Sequence, residues 1–398
     1  MIPSIAALTA ADEHFNHQIV NTHAAVAAPD RAWTEKAWFT LMRKDGQLQV
    51  NFGLGKYANR NLVDGFAGVQ QGTQQRTVRA SRVLAADLDS VNVGPLGYEV
   101  LEPYKAIRLT LADNAAQPLR FELTFHATMP AFFENRDVVV HEGRTASDVI
   151  RFHQAGTVSG WIEIDGVRHE VEPDDWFGFR DRSWGVREHV GLDPTDLVPA
   201  TLGTTSGIAG GNKTGTAYHF NWLVSKIDRP DGTSYDLAYY FRDYGGANPD
   251  EGGPPQFFCG YINESDGRQI PILQLYPEID YRAADRGAMR GTVTALLAGK
   301  GKQIVERTFE IEVINPEMGF RLLPGMYGEW KGQLHGSFKG ENFLDGECID
   351  DVNNPEKLAE TYRWQIRDRP IRIREGENSG YGDMESIILG DYPGVRIV

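Results

Sequence analysis

Cysteine is nearly absent from this chain. Cys259 and Cys348 are the only two, far apart and in neither a CxxC nor a His-rich setting, which argues against a disulfide scaffold or a structural zinc site. Long apolar runs are missing too: no window approaches the ~18 residues of a membrane span, and Met1 to Asp12 lacks the basic start and continuous apolar stretch of a secretory signal. The expectation is a soluble, cytoplasmic protein with no membrane span. Positive charge is in deficit, with Lys+Arg 40 against Asp+Glu 55 and a net charge of -15. Nucleic acid and anionic membranes need a basic face, so neither is expected as the main partner.

Cofactor loops are missing as well. The stretch FGLGKYANR supplies Gly53 and Gly55 but no third glycine at dinucleotide-loop spacing, and there is no P-loop. His141-Glu142 is not followed by a histidine at zincin spacing, and GTTSG from Gly203 lacks the central serine of a nucleophile elbow. The ten histidines are scattered, as structural histidines usually are. No cofactor and no metal is implied. The acidic residues Glu347, Asp350 and Asp351 lack EF-hand spacing and read as a solvated turn.

What the chain does contain is strand-like sequence. Its 398 residues, 41% of them hydrophobic, exceed the roughly 250 to 300 at which one core stops growing, so two packed units are expected. Residues 3 to 25 are Ala-rich, with Thr9 and Asp12 as caps for a short N-terminal helix. From Trp33 onward short apolar or alternating runs are split by Gly, Asn, Asp and Pro. Leu119, Phe121, Leu123 and Phe125 alternate with Arg120, Glu122 and Thr124, which sets one face in a core and the other in water. Further strands are expected at 157–164 and 167–171 around an Asp165-Gly166 hairpin, and at 217–224, 237–241, 257–262, 289–297, 308–314 and 332–338. Helical spacers are missing between them. The fold expectation is therefore all-β: two antiparallel barrels or barrel-like sandwiches in tandem behind a short N-terminal helix. The Gly-rich stretch 203–215 marks the junction. The expected organisation is a segment 1–26, a first barrel 27–205, a second barrel 206–370 and a C-terminal extension 371–398.

The most informative segment is Gly178-Phe179-Arg180-Asp181-Arg182-Ser183-Trp184-Gly185-Val186-Arg187. If it is extended, Arg180, Arg182 and Trp184 share one face, and Asp181, Ser183 and Arg187 the other. A structural reading stacks Arg182 on Trp184 to close a barrel end. A functional reading makes Asp181 an acid or base, Ser183 its hydrogen-bond partner and Trp184 a pocket wall. Burial would raise the Asp181 pKa and a neighbouring Arg would lower it, so its role turns on which way the arginines face. Both readings stand at this level.

Arg151-Phe152-His153-Gln154-Ala155-Gly156-Thr157-Val158-Ser159-Gly160, the Asp165-Gly166 hairpin and Gly178 to Arg187 together resemble the RDHSWGxR-type signature of the AttH-like and carotenoid 1,2-hydratase superfamily. The match covers about residues 150 to 190. The resemblance implies two lipocalin-like barrels, and its members include hydratases and cyclases of terpenoid or polyketide substrates. It also implies a proton-donating acid at the position of Asp181. One departure matters: Arg182 stands where the signature usually has His, and Arg cannot exchange protons near neutral pH.

Supporting candidates come from neighbouring strands. His153 and Gln154 could approach Asp181 across a hairpin or form a polar solvent-facing pair. In Tyr218-His219-Phe220-Asn221-Trp222, Tyr218 and Trp222 share a face that reads either as core or as substrate wall, and His219 lies on the other. Tyr240, among Tyr239, Phe241, Arg242, Asp243 and Tyr244, could line a cavity mouth or bridge the two units. Trp33, Glu35 and Trp38 admit the same choice, with Glu35 as a reserve carboxylate. The expected catalytic set is Asp181, His153 and His219. The expected substrate-binding set is Trp184, Arg182, Ser183, Gln154, Tyr218, Trp222 and Tyr240. The function expected from these residues is a cofactor-independent lyase or isomerase, performing hydration, dehydration or cyclisation on a hydrophobic terpenoid, steroid or aromatic natural-product-like substrate. The alternative is a non-catalytic carrier of a lipophilic small molecule, and a homo-oligomer is left open. A cavity lined by an ionisable group favours catalysis, and a purely apolar one favours carriage.

Overall fold

A computed structural model of the chain describes residues 8–17, 30–134, 136–141, 144–187, 190–191, 217–245, 257–301, 303–322, 334–356, 366–390, 392 and 395–398. Strands between Trp33 and Val186, joined by Asn342–Ile349, form a 13-stranded sheet, and strands between Ala217 and Ile397 form a 10-stranded one. Among the described residues pairing is antiparallel except for a short parallel contact of Gln269–Tyr281 with Arg396–Ile397. Both sheets curl, giving the two barrel-like units in tandem expected from the sequence. Among the described residues no helix is long and apolar enough to cross a membrane.

Among the described residues the three larger apolar cores follow from strand alternation. Ala37, Phe39 and Leu41 of Trp33–Arg43 point into the first barrel with Phe52, Phe121 and Phe125. Leu223 and Ile227 of Ala217–Asp228 point into the second with Tyr235, Phe309 and Ile373. The opposite faces of these strands meet each other: Trp38, Met42, Phe177 and Phe179 from the first sheet pack on Tyr218, Phe220, Trp222 and Ile387 from the second. This joint explains why Trp33–Arg43 and Trp176–Val186 are buried along nearly their whole length: a strand covered on both faces has no solvated side. Leu119–Ala127 is farther from the joint, and Glu122 on its outer face is exposed.

The Asp165-Gly166 hairpin forms as expected, with φ of 52° and 79° at the two turn residues, the left-handed pair that a two-residue turn between right-twisted strands requires. The strand before it is longer than the sequence suggested, running over Arg144–Ile164. It pairs with Phe132–Phe133, Asp137–His141 and Trp176–Val186 at one end, and with Leu119–Ala127 at the other.

Among the described residues the expected short N-terminal helix is not seen. In its place Ala10–Glu13 makes a single 3-10 turn, held by the Thr9 backbone N–H donating to Asp12 at 2.6 Å. Residues 334–338, part of an expected strand, are turn and irregular backbone. Strand Asn342–Ile349, within the segment expected as the second barrel, pairs with Gln74–Val83 at the edge of the first sheet. The segment 371–398 contains Asn378–Leu389, which lies between Ala217–Asp228 and Arg367–Glu375 in the second sheet. The junction expected at 203–215 lies outside the described residues.

Candidate active site

Alternation along Trp176–Val186 sorts the motif onto two faces, as expected. Asp181 and Ser183 face the joint between the sheets along with Phe177 and Phe179, and Arg180, Arg182 and Trp184 point into the first barrel. Asp181 is 8% exposed and sits directly across from Trp38 on one neighbouring strand and His153 on the other. Arg151 Nε lies 3.4 Å from Asp181 Oδ2, and Arg151 Nη1 donates to Glu134 Oε2 at 3.1 Å. Glu134 Oε1 accepts from Trp222 Nε1 at 3.3 Å and lies 3.4 Å from His153 Nδ1. On its other side His153 Nε2 is 3.2 Å from Asp236 Oδ2, and Asn263 donates to Asp236 Oδ1 at 2.7 Å. A continuous polar chain, Asp181–Arg151–Glu134–His153–Asp236, therefore crosses from the first sheet to the second.

Its electrostatics separate the groups by role. Burial raises the Asp181 pKa, and the opposing pull of Arg151 is not enough to cancel it. Burial also pushes Glu134 up, but Arg151 and His153 outweigh it and hold this carboxyl below its usual range. For His153, burial favours the neutral ring, yet Asp236 and Glu134 overcome it and raise the pKa to about 10. The two carboxylates thus favour the protonated ring.

A second acidic group faces Asp181 from the other sheet. In Asn378–Leu389, Asp383 and Glu385 alternate toward the joint, and Asp368 of Arg367–Glu375 lies directly across from Glu385. Asn51 of the first sheet donates to Asp368 Oδ2. Burial raises Glu385 to about 7, opposed by Asp368 and Arg151 and reinforced by Asp181 and Glu134. Burial also drives Asp368 and Asp383 well above the carboxylate range, and both Asp383 oxygens lack a hydrogen bond among the described residues. Trp38 and Trp222 meet edge to face nearby at 5.5 Å, with the Trp38 indole N–H buried and without a hydrogen-bond acceptor among the described residues.

The remaining sequence candidates divide among three places. Tyr218, Trp222 and Tyr240 join Asp181, His153 and Ser183 at the joint, where Ser183 Oγ accepts from Arg187 at 2.9 Å. Arg182, Trp184 and Gln154 lie in the first barrel. There the N-terminal segment fills the interior: Glu13 takes Arg180 by both oxygens, Arg182 stacks on Phe15 at 3.9 Å, and His17 stacks on Trp184 at 3.7 Å. Gln154 donates to Tyr104 O and Met129 O. Arg182 thus covers a phenyl ring from the N-terminal segment where the sequence suggested Trp184. Glu35 is also in this interior, bound to His17 at 2.9 Å. His219 lies inside the second barrel, 2.9 Å from Tyr281 Oη, and burial lowers its pKa to about 3. It is a neutral ring on the far face of its strand from Asp181.

Sequence reasoning missed Glu134, Arg151, Asp236, Asp368, Asp383 and Glu385. The available signal was Gly382-Asp383-Met384-Glu385 ahead of Ser386-Ile387-Ile388-Leu389: two carboxylates at strand spacing running into an apolar stretch.

Two cavities lie beside the residues paired with Asp181 across the sheet, one against His153 and one against Trp38. One of about 10 Å³ is lined by Glu134, His153, Tyr239, Tyr240, Cys259 and Tyr261, among others. The other, of about 40 Å³, lies beside Lys36 and Trp38 and reaches Phe66, His335 and Phe343. Both contain ionisable side chains. Among the described residues no group of three or more His, Cys, Asp or Glu side chains is arranged to hold a metal ion.

Comparison with known proteins places this architecture. A solved structure from Nitrosomonas europaea, described as an AttH candidate, is 11% identical over 89% of this chain and 92% of that one, with a TM-score of 0.51. The AttH-like resemblance of the sequence is thus borne out in the fold. Kievitone hydratase from Nectria haematococca aligns over 90% of this chain and 89% of its own at 11% identity, with a TM-score of 0.40. CghA in complex with Sch210972 aligns over 91% and 89% at 12% identity, with a TM-score of 0.45. These two likenesses are too remote to carry a functional argument. No curated protein matches the chain. A family model does match, over residues 8–395, and the chain belongs to that family, described as a family of unknown function (DUF8625).

Proposed function

We propose that the chain is a cofactor-independent acid–base enzyme, a lyase or isomerase of the hydratase or cyclase type, working at the joint between its two sheets. The observation that carries the reading is the pair Asp181 and Glu385, contributed by different sheets and both raised by burial, beside the Trp38–Trp222 pair. A carboxyl whose pKa is raised by burial keeps its proton to higher pH than an ordinary Asp and can donate it. Asp181 protonates an alkene carbon or an alcohol leaving group, and its carboxylate is then stabilised by Arg151, Arg187 and Lys36, the cations that already oppose its raised pKa. The indole faces stabilise the cation formed on the substrate. Water, or an internal alkene, attacks that cation, and Glu385, poised near 7, accepts the proton released. Capture by water is hydration, its reverse is dehydration, and internal capture is cyclisation.

The substrate class that fits is a hydrophobic terpenoid, steroid or aromatic small molecule, because the joint is built from Trp, Phe and Tyr. His153 and Glu134 serve by holding Arg151 in place. Ionisable lining in both cavities favours catalysis over carriage. Mass spectrometry of ligand co-purified with the protein supplies candidate alkenes and alcohols. Asp181→Asn is expected to lower turnover of the correct pair by about 100-fold or more with an unchanged melting temperature. Unchanged turnover in that variant removes Asp181 from the chemistry.

A further inference from the structure

The motif strand has a counterpart in the second sheet. Ile366-Arg367-Asp368-Arg369 repeats the pattern of Phe179-Arg180-Asp181-Arg182, and the two segments are placed alike: Asp181 and Asp368 face the joint, and the flanking arginines turn away from it. Arg367 and Arg369 share a strand face with Ile371 and Ile373 of the second core. In the first barrel the chain supplies the counter-charge, since Glu13 takes Arg180 by both oxygens. In the second a further guanidinium is added. Arg321 of Phe320–Arg321 lies directly across from Arg367, and like charges opposed on neighbouring strands are destabilising.

Arg321, Arg367 and Arg369 are 2%, 3% and 1% exposed. Asp285 lies 2.5 Å from Arg367, 3.3 Å from Arg369 and 2.6 Å from Arg282, and Arg282 also takes Glu317 at 2.8 Å. Among the described residues Arg321 has no carboxylate partner. Its guanidinium donates to Val352 O at 2.5 Å, and its Nε, like those of Arg367 and Arg369, is buried without an acceptor among the described residues. Four guanidiniums thus meet two carboxylates, which leaves two positive charges uncompensated among the described residues. Position 287 is glycine where a Cβ would lie 2.1 Å from Arg369 Nη2 and 3.0 Å from Arg367 Nη1, so the backbone itself is shaped to admit the crowded arginines. Burial, then Arg367, lowers the pKa of Arg321 far below its usual value and that of Arg369 to about 9. A guanidinium keeps its proton, so the same forces act as an attraction for an anion.

The group opens to solvent on one side. The side chains of Arg282 and Glu317 are 20% and 56% exposed, and Glu317 is also held by Asn353 Nδ2 at 2.8 Å. Arg321 ends on Val352 O and Arg282 Nη2 reaches Asn353 Oδ1 at 3.4 Å, so the guanidinium without a carboxylate and the most exposed one meet at adjacent residues. Two uncompensated charges match a dianion, and planar guanidinium forks suit the paired oxygens of a tetrahedral one. We propose that Arg321 and Arg282, backed by Arg367 and Arg369, bind a phosphate group, which enters where Glu317 covers Arg282 and does for Arg321 what Glu13 does for Arg180. The ligand class is a phosphate dianion, free or at the end of a small ester. No bond is made or broken in this step, and the site is separate from the acid–base chemistry at the joint.

The probe is inorganic phosphate, titrated into the full-length protein at about pH 8, above the second phosphate pKa, and at constant ionic strength. Calorimetry is expected to find one site with a Kd of about 1 mM or tighter, and the melting temperature to rise with phosphate, as a ligand bound only to the folded state requires. Sodium chloride at matched ionic strength should leave melting unchanged, and the net charge of -15 disfavours unspecific anion uptake. Arg321→Met should weaken binding about tenfold or more, yet melt no lower than the wild type without phosphate, because it relieves the opposed charges. Glu317→Gln removes an exposed competitor for Arg282 and should tighten binding several-fold, and it keeps the proposal testable where Arg321→Met does not fold. No saturable phosphate binding, an equal melting shift with chloride, or wild-type affinity in either variant overturns the proposal. Glycerol phosphate as a second probe separates the sources: tighter binding of the ester assigns an ester, and tighter binding of phosphate assigns the free ion. Asp181→Asn is expected to leave phosphate affinity unchanged, so failure of the acid–base reading and failure of this one are seen separately.

Discussion

His153 holds two carboxylates at the joint, Glu134 at 3.4 Å and Asp236 at 3.2 Å, so replacing it with Gln removes a buried cation from between two buried anions. Its side chain is 2% exposed, which leaves little solvent to screen the loss. Removing one member of a buried ion pair costs about 3–5 kcal/mol. The pKa gives a consistent ceiling: the gap between 6.5 and about 10, at ~1.4 kcal/mol per pH unit, is roughly 5 kcal/mol. Because the folded-state pKa lies above the unfolded one, the folded protein binds the extra proton between these values. The contribution is therefore complete below pH 6.5 and is lost as pH rises through about 10. Urea unfolding followed by tryptophan fluorescence, with Trp222 bonded to Glu134 as a local reporter, is expected to show His153→Gln destabilised by about 3–5 kcal/mol at pH 7. The gap from the wild type should narrow toward pH 10, and His153→Gln with Asp236→Asn should recover part of the loss. A single variant within ~1 kcal/mol of the wild type, the scale of an exposed pair, or a gap that widens with pH, would refute the reasoning.

Other perturbations test separate parts of the structure. Asp383, driven up by burial with both oxygens unbonded among the described residues, binds a proton when folded that it loses when unfolded, so its contribution is present below pH 3.8 and is lost as pH rises. Asp383→Asn should leave the melting temperature at pH 7 unchanged or higher and flatten its fall between pH 4 and 7; a clear drop at pH 7 contradicts this. Glu13→Gln strips the buried Arg180 of its carboxylate partner and should cost about 3–5 kcal/mol, with much of it recovered by pairing Glu13→Leu with Arg180→Leu. If chemical denaturation finds the single variant neutral, the N-terminal segment is not anchored by that pair. Gly185 has φ +131° and a Cβ there would meet Asp148 O at 2.1 Å, so Gly185→Ala should cost at least ~3 kcal/mol. Gly166→Ala, with nothing within 4 Å at φ +79°, should cost about 1 kcal/mol. Equal melting shifts in these two variants would show that crowding at Gly185 is not what makes it glycine.

Much of the site was legible as local pattern and little of it as geometry. The period-2 alternation of Arg180 to Trp184 correctly separates the arginines from Asp181, and Tyr218 and Trp222 correctly share a face. That alternation cannot say what lies opposite each face. His219 and Tyr218 are adjacent in sequence yet belong to different cores, one inside the second barrel and one at the joint. Arg182 and Trp184, grouped with Asp181 as pocket residues, turn into a barrel filled by Phe15 and His17. Glu134 and Asp236 stood in no motif, because what makes them important is a histidine reaching them across the joint.

By itself the sequence determined an all-β, two-unit protein, its hairpin at Asp165-Gly166, and the two faces of the motif strand, because steric turn preferences and side-chain alternation act over a few residues. Only the tertiary structure decided that Lys36 meets His335, 299 positions away, that Glu13 meets Arg180, 167 positions away, and that Glu385 stands near pH 7. Those outcomes depend on which faces are pressed together and how completely water is removed between them, and desolvation is a property of the packed sheets that no stretch of chain carries alone.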